Sequence, residues 1–154
     1  MKYSTRSLTL LFISAGVLVT GLRFLEPLDA IIRSKYGMPF GDLKPKCDSK
    51  DPNLYNELVE LQTQEGEIRS QLTAALIAKA RELGYFPEQW IQDNCLTNVN
   101  LINISQVAID KAQICVDPNQ QLQGAEVDKA KQDFLKGLCH AVSISAQWVY
   151  MNNL

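Results

Sequence analysis

The chain has 154 residues and a net charge of -2, and 21% of its side chains are charged. Lysine and arginine are interspersed with acids rather than clustered, so the sequence lacks the basic surface that nucleic-acid binding needs. About 130 residues follow an N-terminal apolar segment, enough for one domain with a single core. We therefore expect one domain and no nucleic-acid partner.

The N-terminal segment has the pattern that the secretion machinery reads. Lys2 and Arg6 precede an almost uninterrupted apolar run, Leu8–Leu22, which ends at Arg23. The run lies at the upper limit of a signal peptide's apolar region, about 7–15 residues, and just short of the roughly 17–25 residues of a spanning helix. Two interpretations stay open, an uncleaved membrane anchor and a cleaved signal peptide. Both place the rest of the chain on the exported side, because the positive charges hold the N-terminus inside.

All four cysteines follow this segment, and none belongs to a Cys-x-x-Cys pair. An even number of cysteines on the exported side predicts two disulfides, since such bonds form and persist in oxidising compartments. Three connectivities are compatible with the sequence. The residues concerned are Cys47, Cys95, Cys115 and Cys139.

The first half of the exported region predicts one short helix, one loop and one long helix. Glu26 to Lys35 has the spacing of a short amphipathic helix, and Leu43 to Asp51 reads as a loop. Pro52 to Leu83 repeats apolar residues at intervals of three and four, interrupted by Glu65 and Lys79, and Gly84 stands where a C-terminal cap belongs.

The second half predicts three further helices. Pro87 to Cys95 reads as a short helix. Asn103 with Gln106 resembles a capping box that starts a helix from Ile104 to Cys115. After a loop, the last helix is expected from Ala125 to Met151. Its apolar residues are expected in the core of a bundle, with docking of the Trp148 end on a partner or a membrane as the alternative; they are Val127, Ala130, Phe134, Leu138, Ala141, Val142, Ile144, Ala146, Trp148 and Val149.

Catalytic chemistry has little support in the sequence. The single histidine, His140, is adjacent to Cys139 on a predicted helix, where neighbouring side chains point about 100° apart and cannot form a Cys-His pair. One histidine and scattered thiols do not make a metal site. Acids on two helices are ordinary partners of helix termini: Glu57, Glu60, Glu65 and Glu67 on one, and Glu126, Asp128 and Asp133 on the other. We predict no catalytic, cofactor-binding or metal-binding residue and no enzymatic activity.

The sequence thus predicts an all-α protein: an N-terminal membrane or signal helix (1–25), a short amphipathic helix and loop (26–51), and a small disulfide-stapled helical bundle (52–154). The expected function is that of an accessory or structural subunit of a membrane or cell-envelope assembly, tethered as a single-pass protein and binding partner proteins on the exported side. The alternative is a soluble periplasmic or secreted binding protein of inhibitor or immunity type. A small hydrolase would need acids that converge with His140 in a pocket.

Overall fold

The computed structural model describes residues 26–153, and the regular secondary structure within this range is helical, without a β-strand. The predicted N-terminal membrane or signal helix lies outside the described residues. The prediction of an all-α domain is confirmed. The helices are α1 (Pro27–Tyr36), α2 (Leu43–Asp48), α3 (Leu54–Leu83), α4 (Gln89–Asn94), α5 (Val99–Cys115) and α6 (Gly124–Asn152), with short 3-10 turns at Phe40–Asp42 and Pro118–Gln120.

Helix α1 forms where the sequence predicts it. Pro27 occupies the first turn, where its missing N–H removes no hydrogen bond. Leu28, Ile31 and Ile32 share one face and are all buried. Gly37 ends the helix in the left-handed conformation (φ 72°), with its N–H donating to the carbonyl of Arg33. The amphipathic pattern and the cap thus account for the whole element.

The loop predicted from Leu43 to Asp51 is wrong over its first six residues, which form α2. The lysines, aspartates and prolines of this segment favour a loop, but Pro45 lies in the first turn of the helix. In the first turn of a helix a proline costs no intrahelical hydrogen bond, because those N–H groups have no partner there. Leu43 and Cys47 stand four residues apart and are both fully buried, so one turn of helix points both at the core.

Helix α5 begins five residues earlier than predicted. Asn98, and not Asn103, caps it: the Asn98 side chain accepts a hydrogen bond from the N–H of Leu101 at 3.0 Å. Asn103 lies exposed in the helix interior. Leu101 and Ile104 are buried with helical spacing, so burial of that face outweighs the poor helix propensity of the asparagines.

The two long helices, α3 and α6, run parallel, with α5 antiparallel to both. Near the end of α5, Lys111 pairs with Glu57 in the first turn of α3 at 2.7 Å, and a second ion pair joins the same part of α5 to the first third of α6. At the opposite end, Phe86, just after α3, packs against Tyr150, near the end of α6, with ring centroids 6.3 Å apart. The C-terminal ends of α3 and α6 therefore lie together.

One core unites these helices. Buried side chains from α1, α2, α3, α5 and α6 form a single cluster, so residues 26–51 contribute to the same core as residues 52–153. The region α1–α2 is thus packed into the bundle. None of the helices between residues 26 and 153 is sufficiently long and apolar to cross a membrane.

Candidate functional site

The cysteines form two disulfides, Cys47–Cys115 and Cys95–Cys139, and all four side chains are buried. The first bond ties α2 to the end of α5, and the second ties the segment before α5 to the middle of α6. The two disulfides expected from the sequence are confirmed, and the structure selects one of the three connectivities. The bridges fasten both ends of α5 to the rest of the bundle.

His140 lies exposed on α6 and lines an open pocket of about 390 Å³. Glu88 and Ser143 line the same pocket, so an acid and a hydroxyl do share it with the histidine. Within residues 26–153, however, no side-chain hydrogen bond involves His140, and the adjacent Cys139 is bonded to Cys95. The pocket therefore contains residue types that a hydrolase uses. No hydrogen bond joins its histidine to a nucleophile, which such catalysis requires.

Two of the acids named in the sequence analysis form ion pairs. Glu57 pairs with Lys111 at 2.7 Å, and Asp133 pairs with Lys35 at 3.2 Å and with Lys129 at 3.1 Å. The pairs with Lys111 and Lys35 join helices, whereas the pair with Lys129 lies within α6. No group of three or more histidines, cysteines or acids in residues 26–153 is arranged to hold a metal ion.

Unlike these acids, Glu65 is buried: it lies on the core-facing side of α3, and only 1% of its surface is exposed. Its Oε2 atom lies 3.5 Å from the Arg69 guanidinium one turn later and has no hydrogen-bond partner. Burial raises the pKa of the Glu65 carboxyl to about 7; Arg69 opposes this rise and the nearby Glu26 carboxylate adds to it. The sequence pattern marked Glu65 only as an interruption of the apolar stripe.

The larger pocket, about 780 Å³, lies between α1 and α3 next to this residue, but Glu65 does not line it. Its polar groups already satisfy one another. Asp29 accepts hydrogen bonds from Arg33 and from the backbone N–H of Phe40, and Glu26 accepts one from Gln62. The Gln62–Glu26 bond joins α3 to the start of α1, and the two bonds to Asp29 hold α1 and the turn after it.

The most unusual surface lies on the last two turns of α6 and the turn before them. Ile144, Trp148 and Met151 are 41%, 57% and 56% exposed, and their spacing of four and three places them on one side of the helix. We call these three residues the α6 stripe. For Ile144 and Trp148 the core expectation is wrong, whereas Phe134, Leu138, Ala141, Val142 and Ala146 are buried as predicted. Leu83 and Tyr85, also exposed, lie at the same end of the bundle.

The two halves of α6 differ sharply in charge. From Gly137 to the end of the chain there is no Asp, Glu, Lys or Arg, although 21% of the whole sequence is charged. The first half of the same helix is densely charged, with Glu126, Asp128, Lys129, Lys131, Asp133 and Lys136. The α6 stripe therefore lies on a helix surface without Asp, Glu, Lys or Arg, where His140 is exposed one turn before Ile144.

No protein-family model matches the chain, and no curated protein or solved structure is detectably similar to it.

Proposed function

We propose that this protein is a non-enzymatic accessory or structural subunit of a membrane or cell-envelope protein assembly. Its N-terminal apolar segment tethers it as a single-pass protein, and its exported helical domain binds partner proteins. The observation that carries the proposal is the α6 stripe, because three large apolar side chains stay exposed on a neutral surface. Contiguous exposed apolar surface on a soluble domain commonly marks an interaction site.

Two further features support this proposal. The apolar run Leu8–Leu22 has the composition of a membrane-directed segment. The two disulfides suit an oxidising compartment, where the exported part of a tethered protein would reside. Both features also suit the soluble exported binding protein, so the state of the N-terminus separates the two functions.

The test uses the full-length protein in membranes of its native host. We expect it to resist extraction by alkaline carbonate, to have an intact mass that includes the N-terminal segment, and to migrate on a native gel as part of a larger complex. A mass that begins near Leu22 would favour the soluble binder instead. Labelling of all four cysteines by alkylation without reduction would contradict the exported location.

A substitution within the α6 stripe, compared with one outside it, tests whether this surface binds a partner. Trp148→Glu is expected to shift most of the protein from the complex to a smaller species, because a charge enters an apolar contact. Val99→Glu is the control, since Val99 is 77% exposed at the start of α5 and lies outside the stripe. Equal migration of both variants and the wild type would rule out the α6 stripe as the binding surface.

A further inference from the structure

The α6 stripe continues a face that α1 already covers lower on the same helix. Lys35 of α1 pairs with Asp133 of α6 at 3.2 Å. Ile144, Trp148 and Met151 follow Asp133 by 11, 15 and 18 residues, close to whole numbers of helical turns. Helix α1 has only ten residues and leaves this upper part of the face open. A second element of helical shape can lie on α6 there, as α1 does below.

The charge distribution suits a symmetric protein contact better than an anionic lipid surface. In a symmetric contact between two copies, residues near the two-fold axis meet their own counterparts, so any ion there would face its like. The second half of α6 satisfies this requirement, since it has no Asp, Glu, Lys or Arg. An anionic lipid surface would instead favour lysine and arginine beside the apolar residues. The nearest basic side chain on α6 is Lys136, two turns before Ile144.

Two amide side chains of α6 beside the stripe are self-complementary. Gln147 and Asn152 are exposed on α6 beside Trp148 and Met151. Each amide side chain both donates and accepts hydrogen bonds, so it can pair with its own copy across a two-fold axis. A charged rim could not do so.

The exposed apolar area of the α6 stripe is small, and it suits a contact between copies that are held in the same membrane. The α6 stripe exposes on the order of 300 Å² of apolar surface, and Leu83 with Tyr85 at the same end of the bundle roughly 200 Å² more. A stable interface buries about 800 Å² on each partner, so this contact lies at the weak end in dilute solution. Two copies tethered in one bilayer meet at a much higher effective concentration.

We propose that the α6 stripe is the contact surface between two copies of this chain, packed helix against helix across a two-fold axis. The inference rests on the proposed function in two respects, that this surface binds protein and that the chain is tethered in a membrane, and it names the partner as a second copy. Trp148 lies in the middle of the stripe, so it packs near Trp148 or Ile144 of the other copy.

Site-specific photo-crosslinking of the full-length chain in native-host membranes tests this. Two versions with different affinity tags are co-expressed, and each has p-benzoylphenylalanine in place of Ile144. We expect irradiation to give an adduct that has twice the mass of the chain and both tags. Trp148→Glu, added to both copies, is expected to lower the yield of this adduct about tenfold or more, because two carboxylates would then face each other. Val99→Glu should leave the yield unchanged.

Other outcomes overturn the inference in distinguishable ways. An adduct with a different protein would leave the accessory-subunit function standing and refute the second copy. Crosslinks to lipid, or to residues 1–25 of the same chain, would show that the membrane or the N-terminal segment covers the stripe. Absence of any adduct, together with extraction by carbonate, would refute the inference and the proposed function. Circular dichroism of each purified variant checks that the helical domain has folded.

Discussion

Replacing Cys47 and Cys115 together with alanine is expected to lower the free energy of unfolding by about 4 kcal/mol. The bridge closes a segment of 68 residues. A cross-link of that span lowers the conformational entropy of the unfolded chain, which raises its free energy by about 4 kcal/mol. A domain of this size has only about 5–15 kcal/mol in total, so the bridge accounts for a large share of its stability. Urea titration of the full-length protein in mild detergent, followed by circular dichroism, measures the change.

The second bridge supplies a matched comparison. Cys95→Ala with Cys139→Ala opens a segment of 44 residues, and the logarithmic dependence on loop length predicts a loss only about 0.4 kcal/mol smaller. Reduction of the wild type should give at least the larger of the two losses. A loss below about 1 kcal/mol in either variant would contradict the entropic account and indicate that the unfolded chain is already compact.

Replacing Glu65 with glutamine is expected to stabilise the protein by about 3 kcal/mol at pH 8 and by less than about 1 kcal/mol at pH 5. Burial raises the pKa of this carboxyl from 4.5 to about 7 in the folded protein. Below pH 4.5 the group is neutral in both states and costs nothing. As the pH rises from 4.5 to 7, the unfolded chain releases the proton first, so the stability of the wild type falls. Above pH 7 the full cost of burying the charge remains.

Glutamine keeps the shape of the side chain and an oxygen that can face Arg69, but it does not ionise. Unfolding of the wild type and of Glu65→Gln from pH 5 to 8 isolates this one group, because the other titrating groups are shared. Glu67→Gln is the control, since Glu67 lies exposed on the same helix. The account is wrong if Glu65→Gln shows the same dependence on pH as the wild type.

Much of the fold is predictable from local pattern because its long helices have clear apolar periodicity and conventional ends. Pro27 in a first turn, Gly84 at a left-handed cap, and the buried face of α6 up to Ala146 all follow from the sequence. The two errors in helix boundaries have a common origin. At Pro45 and in the asparagine run before Leu101, burial of an apolar face outweighed residue propensity.

The site is less predictable because it depends on which helices meet. Apolar residues at helical spacing are usually buried, and nothing local reveals that α1 is too short to cover Trp148. The burial of Glu65 depends likewise on the packing of its neighbours. The disulfide pairing follows from the antiparallel course of α5, a long-range property that cysteine spacing does not encode.

The two bridges also interlock along the chain, because the first cysteine pairs with the third and the second with the fourth. If the domain is exported as we propose, translocation in the order of the sequence exposes Cys47 and Cys95 before Cys115 emerges. Oxidation in that order closes a bond that the folded domain does not contain, and thiolate exchange must then undo it. Unassisted rearrangement takes minutes to hours, so maturation is expected to depend on a disulfide isomerase. Peptide mapping in a host without that enzyme should recover a Cys47–Cys95 bond, and native pairing at undiminished yield would count against this order of events.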